Sequence, residues 1–229
     1  MSLWLAGRRL TLGVAAVAMA VAASASLPAA LELREAPTTG AEPWRLLTGH
    51  LVHLNGRQLI MNLIAFVWLG CLCEPKMPRR YGMLLIASAL AVGAGVLHLH
   101  PNLASYRGLS GIASAQFSAL VVLRWREARR SGRAALALPP LLAFVLFLGK
   151  TVFEIETGRA LFAGSLALGG AGPSPAAHLF GALAGLVVVL LPAPDSRTPA
   201  PAPETASGRA ANGPAPRGQA TRGAAGRVG

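Results

Sequence analysis

The sequence predicts an all-α integral membrane protein: six transmembrane helices, with a short central helix among them. Three observations predict this class. Hydrophobic residues make up 53% of the 229 positions and charged residues only 13%, a balance that no ordinary soluble domain of this size needs. The apolar residues fall into six runs separated by polar segments. Lysine and arginine are distributed between those runs in alternation, the pattern expected of membrane topology.

The runs extend, in order, from Leu10 to Leu31, Gln58 to Leu72, Tyr81 to Leu97, Gly108 to Leu123, Ala134 to Phe153 and Ala176 to Leu191. Several fall short of the ~20 residues that a full crossing of the hydrocarbon requires, which suits a bundle with a wet centre. Arg8 and Arg9 precede the first run, whereas the three basic residues after it are balanced by three acids. Lys76, Arg79 and Arg80 then face one acid, Arg107 stands alone, and Arg124, Arg126, Arg129, Arg130 and Arg133 form a cluster read as a solvated loop. Net positive charge therefore recurs at every second connection, and both termini are expected in the cytoplasm. Residues 1–9 form a cytoplasmic N-terminus, 10–192 the membrane domain, and 193–229 a Pro/Ala/Gly/Arg-rich cytoplasmic tail expected to be disordered.

The first run has two readings. It is a retained helix, or, because Ala23-Ser24-Ala25 resembles a cleavage site after an arginine-led apolar stretch, a signal peptide. Its length exceeds the ~7 to 15 residues of a signal-peptide core, which favours retention. Cys71 and Cys73 lie too close in sequence to pair well, and packing is their expected use. The charge of +12 lies in short clusters and in the tail, so a nucleic-acid surface is not expected.

On this topology the polar residues converge on the outer side. His50, His53 and Asn55 stand at the outer end of the second run, and Gln58 and Asn62 follow on one helical face. Ser110 lies two residues inside the fourth run, His178 two residues inside the sixth, and His98 and His100 in the outer loop between the third and fourth. Ser110 and His178 are the minimum for nucleophilic acyl transfer, in which imidazole takes the serine proton and returns it to the leaving amine. The only aspartate is Asp195 in the tail, and the glutamates are read as lying in loops, at helix ends or in the tail, so the machinery would be a dyad. No paired membrane aspartates and no H-E-x-x-H motif occur. Oxyanion donors could come from the Ser110 amide near a helix N-terminus and from the side-chain amides of Gln58 and Asn62. Gly108 and Gly111 allow close backbone approach beside the serine, and Gly181 and Gly185 form a small-residue strip on the face that carries His178. A lone serine in a transmembrane helix is usually a packing or back-bonding residue, and only together with His178 does Ser110 point to catalysis.

Four segments carry a resemblance. Glu42-Pro43-Trp44-Arg45, Gly49 to Asn62, Gly108-Leu109-Ser110-Gly111, and Ala177-His178-Leu179-Phe180-Gly181 with Gly185 resemble, in order, the motifs of the rhomboid intramembrane serine proteases, and most closely the six-helix bacterial rhombosortases. The resemblance covers roughly Glu42 to Leu191 and implies Ser110 as nucleophile, His178 as general base and acid, and Asn62 in the oxyanion hole. His53 and Gln58 would be supporting residues. Two positions depart from the pattern. Gln58 stands where many rhomboids have a histidine, and Ser114 where an aromatic or histidine commonly packs on the catalytic histidine, leaving His178 less well held. The resemblance further implies a bacterial inner-membrane location, an active site opening to the outer side, and no cofactor or metal. Its implied partners are the lipid bilayer and single-span exported proteins that end in a Gly-Gly motif, an apolar helix and a basic segment. Two other readings stand beside it: an inactive relative that binds transmembrane segments, and an outer-face metal site built from His50, His53, His98 and His100.

Overall fold

A computed structural model describes residues 7–34, 41–100, 104–158, 161 and 174–192. Among these residues the chain is helical, with one isolated antiparallel bridge between Leu33 and Tyr106. The expected tail from residue 193 onward lies outside them.

Helix α1 spans Arg9–Ala23, shorter than the apolar run that contains it. The run breaks because the Ser24 hydroxyl accepts the amides of Ser26 and Leu27, and Pro28 then starts the short helix α2, Leu27–Leu31. At its other end α1 is capped from a distance. The Leu10 and Thr11 amides each donate to the Glu74 carboxylate at 3.0 Å, and the Thr11 hydroxyl donates to it at 2.7 Å. A buried carboxylate thus meets the unpaired amides and positive end of a helix. Thr11 also bonds the Tyr81 hydroxyl, which accepts from Gln116, so the contact continues into the bundle.

After the loop helix α3, Arg45–Thr48, the chain enters α4, Gly56–Cys73, where the Asn55 side chain caps the first turn by accepting the Gln58 amide at 2.9 Å. Helix α5 spans Pro78–Leu99, α6 Ser110–Arg130, α7 Leu138–Thr157 and α8 Pro175–Leu190. Among the described residues, three segments are long and apolar enough to cross a membrane: Gly56–Lys76, Pro78–Leu99 and Ala134–Thr157. Arg9–Ala23 and Pro175–Leu190 are apolar but shorter.

Helix α6 departs from expectation. It does not stop with the apolar run but continues through the arginine cluster to Arg130, so most of that cluster is helical and not loop. At 21 residues it is about 32 Å long. It ends where Gly132 adopts φ +69° and the Arg133 amide reaches back to the Ala128 carbonyl, a left-handed helix stop. Its charged end is tied down by Lys76 to Glu127 at 2.9 Å and by Arg126 to the Val189 carbonyl at 3.0 Å. From Gly111 to Val121 every residue of α6 but the half-buried Phe117 is buried, and α6 packs against α4, α5, α7 and α8. Large apolar side chains point outward instead on α4 (Ile60, Met61, Ile64, Trp68) and α7 (Leu142, Val145, Leu146), a surface that suits lipid.

Candidate active site

The site begins with two backbones in contact. A Cβ placed on Gly181 of α8 would overlap the Gly111 carbonyl of α6, and one on Gly185 would overlap the Ala115 carbonyl and the Ser118 hydroxyl. A Cβ on Gly111 would in turn lie 3.0 Å from the Ala177 carbonyl oxygen and 2.9 Å from Val92. The Ser118 hydroxyl donates to the Ala182 carbonyl at 2.8 Å and closes the same seam. Glycine is therefore needed on both helices for a steric reason. Ser110 immediately precedes Gly111, and His178 immediately follows Ala177, so this seam sets the starts of α6 and α8 side by side.

The amide donors gather one step upstream. Gly108 has φ +116°, a backbone conformation that favours glycine, and a Cβ there would lie 2.8 Å from Asn62 Nδ2 and 3.3 Å from Gln58 Nε2. Both α4 amides thus converge two residues before Ser110. Their availability differs. Gln58 is already engaged, accepting the Leu54 amide at 2.7 Å and donating to the Arg107 carbonyl at 3.4 Å. Asn62 Nδ2 is buried with no hydrogen-bond partner, a state that costs about 1 to 3 kcal/mol and calls for an explanation.

The other histidines do different work. His50 is buried, bonds the Ala89 carbonyl at 3.0 Å and stands edge-on to the Tyr106 ring at 5.5 Å; burial pushes its pKa down. His53 bonds the Leu51 carbonyl at 3.3 Å, and burial pushes its pKa down to about 4, so it is neutral at pH 7. It braces the loop that leads into α4. Among the described residues no three His, Cys, Asp or Glu side chains group as a metal would require. His98 and His100 sit at the end of α5 and its cap. Cys73 is buried, with its thiol on the Gln116 carbonyl, and Cys71 is free as well, in keeping with packing roles.

Sequence reasoning missed three elements of the neighbourhood. Tyr106 is pinned by its amide to the Leu33 carbonyl at 2.8 Å, and its hydroxyl donates to the Gly108 carbonyl at 3.2 Å. Burial pushes the pKa of that phenol up and keeps it neutral. Phe147 of α7 is the second. Its ring lies 6.2 Å from the His178 ring, supplying from another helix the aromatic neighbour that Ser114 does not provide. Ser114 instead donates to the Ser110 carbonyl at 2.9 Å within α6. The third is Glu154. It is a carboxylate in the last turn of α7, at a helix end as expected, but it is buried and joined to Lys150 at 2.6 Å.

No curated protein sequence matches the chain. The Rhomboid domain family matches residues 40–194, which is more than half of the chain and contains every motif described above. With the helical architecture and its apolar spans, the match makes this a multi-pass membrane protein. The chain belongs to the rhomboid family, whose members are generally intramembrane serine proteases.

Proposed function

We propose that the protein is an intramembrane serine endopeptidase that works with a Ser110–His178 pair. The observation that carries this reading is the glycine seam, where Gly111 abuts Ala177 and Gly181 abuts the Gly111 carbonyl, with the unpaired Asn62 amide close to Gly108. In the proposed reaction His178 takes the Ser110 proton as Oγ bonds the scissile carbonyl carbon. The carbonyl electron pair moves to oxygen, where the Ser110 amide and Asn62 would donate, with Gln58 in support. His178 then returns the proton to the leaving amine as the C–N bond breaks, and water repeats the sequence to release the acyl group.

The finer reading is of a rhombosortase. It has six membrane crossings, both termini in the cytoplasm, a bacterial inner-membrane location, and a site that opens to the outer side. Residues 10–192 form the membrane domain. Its substrates are single-span exported proteins with a Gly-Gly motif before an apolar helix and a basic end. Glycine suits such a substrate because a helix must unwind before its peptide bond is attacked, and each glycine lowers that cost by about 1 kcal/mol relative to alanine.

The test is labelling of the purified protein by a fluorophosphonate probe, together with co-expression of a Gly-Gly-tailed membrane protein. Labelling and a truncated product are expected from the wild type, and both are lost in Ser110→Ala. Labelling that survives Ser110→Ala refutes the nucleophile, while substrate association without truncation supports a non-cleaving relative.

A further inference from the structure

The two residues that follow α2 hold the chain just upstream of Ser110. Glu32 is buried, and both its carboxylate oxygens are engaged, Oε1 with Arg34 Nε at 3.0 Å and Oε2 with Arg107 Nη2 at 2.5 Å. Its carbonyl accepts Arg45 Nη1 at 2.8 Å, which ties the residue to the loop helix α3. Leu33 then accepts the Tyr106 amide at 2.8 Å and forms with Tyr106 the isolated antiparallel bridge. The Leu33 side chain is buried in a cluster with Val92, Val96, Tyr106, Ala176 and Ala177, and Ala177 precedes His178. A Cβ on Gly49 would lie 2.7 Å from Leu33 Cβ, so the segment has no room to shift in that direction.

These ties meet a turn that cannot fix itself. Gly108 has φ +116° and, as a glycine, little conformational preference of its own, so the entry into α6 is set by what holds its flanks. Downstream the flank is α6. Upstream it is Tyr106 and Arg107, gripped by Leu33 and Glu32. The Arg107 carbonyl accepts Gln58 Nε2 at 3.4 Å, and a Cβ on Gly108 would lie 2.8 Å from Asn62 Nδ2. A shift at Arg107 therefore moves the backbone against which both α4 amides rest. Arg107 Nε is buried with no hydrogen-bond partner, an unfavourable state that a side chain serving only to fill the loop would avoid.

We propose that Glu32 and Arg107 form a positioning pair for the oxyanion donors of the Ser110 site: Glu32 holds Arg107, Arg107 fixes the backbone entering Gly108, and that backbone sets the Asn62 amide. Neither residue touches the reacting atoms or exchanges a proton. This inference rests on the Ser110–His178 reading and deepens it, because these donors receive the oxyanion formed when Ser110 Oγ attacks the carbonyl carbon.

The test uses the full-length protein in detergent micelles and a fluorophosphonate probe, with the limiting labelling rate separated from the probe concentration that gives half-maximal rate. Arg107→Met keeps the aliphatic stem, and Glu32 retains Arg34, so no buried carboxylate is stranded. Its limiting rate is expected to fall about 10-fold with the half-maximal concentration unchanged. Glu32→Gln breaks the same pair from the other side and should be at least as slow. Arg107→Lys keeps the charge but donates singly and reaches less far, so about a 3-fold loss is expected; should Arg107→Met not fold, this variant takes its place in every comparison. The deciding measurement repeats the substitution in an Asn62→Ala background. With the positioned donor gone, the further loss should shrink to about 2-fold or less, since residues acting as a unit are not additive. A limiting rate unchanged by Arg107→Met overturns the proposal, because a purely structural brace moves only the thermal midpoint. An undiminished loss in the Asn62→Ala background also overturns it, as does Asn62→Ala labelling like the wild type, and both leave the Ser110–His178 reading in place. Wild-type protein that fails to label, or labelling that survives Ser110→Ala, overturns this inference together with the reading beneath it.

Discussion

Replacing Gly181 with alanine tests the glycine seam most directly. The added Cβ would overlap the carbonyl oxygen of Gly111, a backbone atom that cannot rotate away, so relief requires α8 to move off α6. Restoring an ordinary carbon–oxygen contact needs a separation of about 1 Å or more, and overpacking of this kind costs about 1 to 3 kcal/mol. Because Ala177 and Gly111 meet one turn away, the same displacement separates His178 from Ser110, and a misplacement of about 1 Å lowers reactivity about 100-fold. Gly181→Ala should therefore label with fluorophosphonate about 100-fold more slowly while unfolding only a few degrees earlier in micelles. Two controls give the result its meaning. Gly185→Ala strikes the Ala115 carbonyl and Ser118 deeper in the seam, so it should lose similar stability with a smaller loss of labelling. Gly149→Ala on α7 meets nothing within 4 Å and should be neutral or stabilising by up to about 1 kcal/mol. Wild-type labelling by Gly181→Ala, with the protein folded, would refute the claim that backbone contact positions the pair.

Other outcomes follow from the same geometry. Asn62→Ala should lower the limiting labelling rate about 100- to 1,000-fold with little change in thermal midpoint, because its buried amide nitrogen has no other partner to lose. Tyr106→Phe removes the hydroxyl that holds the Gly108 carbonyl, and a loss of about 0.5 to 1.5 kcal/mol, read by thermal unfolding, should accompany slower labelling. The Arg45 guanidinium holds the Glu42 carboxyl below the usual glutamate range, so this loop contact is fully present above pH ~4.3 and weakens only as pH falls through the lower folded value. Amide exchange at residues 42–48, corrected for intrinsic rates, should thus stay unchanged from neutral pH down to that range and rise below it. Glu42→Gln should remove the dependence.

What could be read in advance was local. Apolar runs, charge alternation and the glycines at 108, 111, 181 and 185 each leave a signature within a few residues, and the helices and their seam follow from them. What could not be read was the pairing of polar groups across elements. Glu74 counts in the sequence only as one acid among the basic residues after the second run, yet it caps α1 from 63 positions away. Lys150 and Glu154 show an i, i+4 spacing that any solvated helix face would show, and only the position of Phe147 against His178 reveals that this stripe faces inward. Ser114 likewise suggested a poorly held histidine because the compensating ring comes from α7, which no motif near Ser114 could indicate. The extension of α6 through its arginines was hidden for a different reason. Apolarity marks only the part of a helix that needs burial, and a polar end can continue the same hydrogen-bond ladder beyond it.

The same cross-element contacts bear on the two readings of the first run. A signal peptide is removed without consequence for the rest of the fold, so its residues should make few specific contacts. Helix α1 instead supplies Ala18, fully buried in one cluster with Phe66, Ala89, Leu109 and Ile112. Leu109 precedes Ser110, and Ile112 lies in the first turn of α6, so this cluster supports the segment that holds the proposed nucleophile. At its other end α1 presents Thr11 and two amides to Glu74, and Thr11 also meets Tyr81. Cleavage after Ala25 would strip all of these partners at once and expose Phe66 and Leu109 on one side. A helix so committed to the core behaves as part of the domain, and this favours its retention over cleavage.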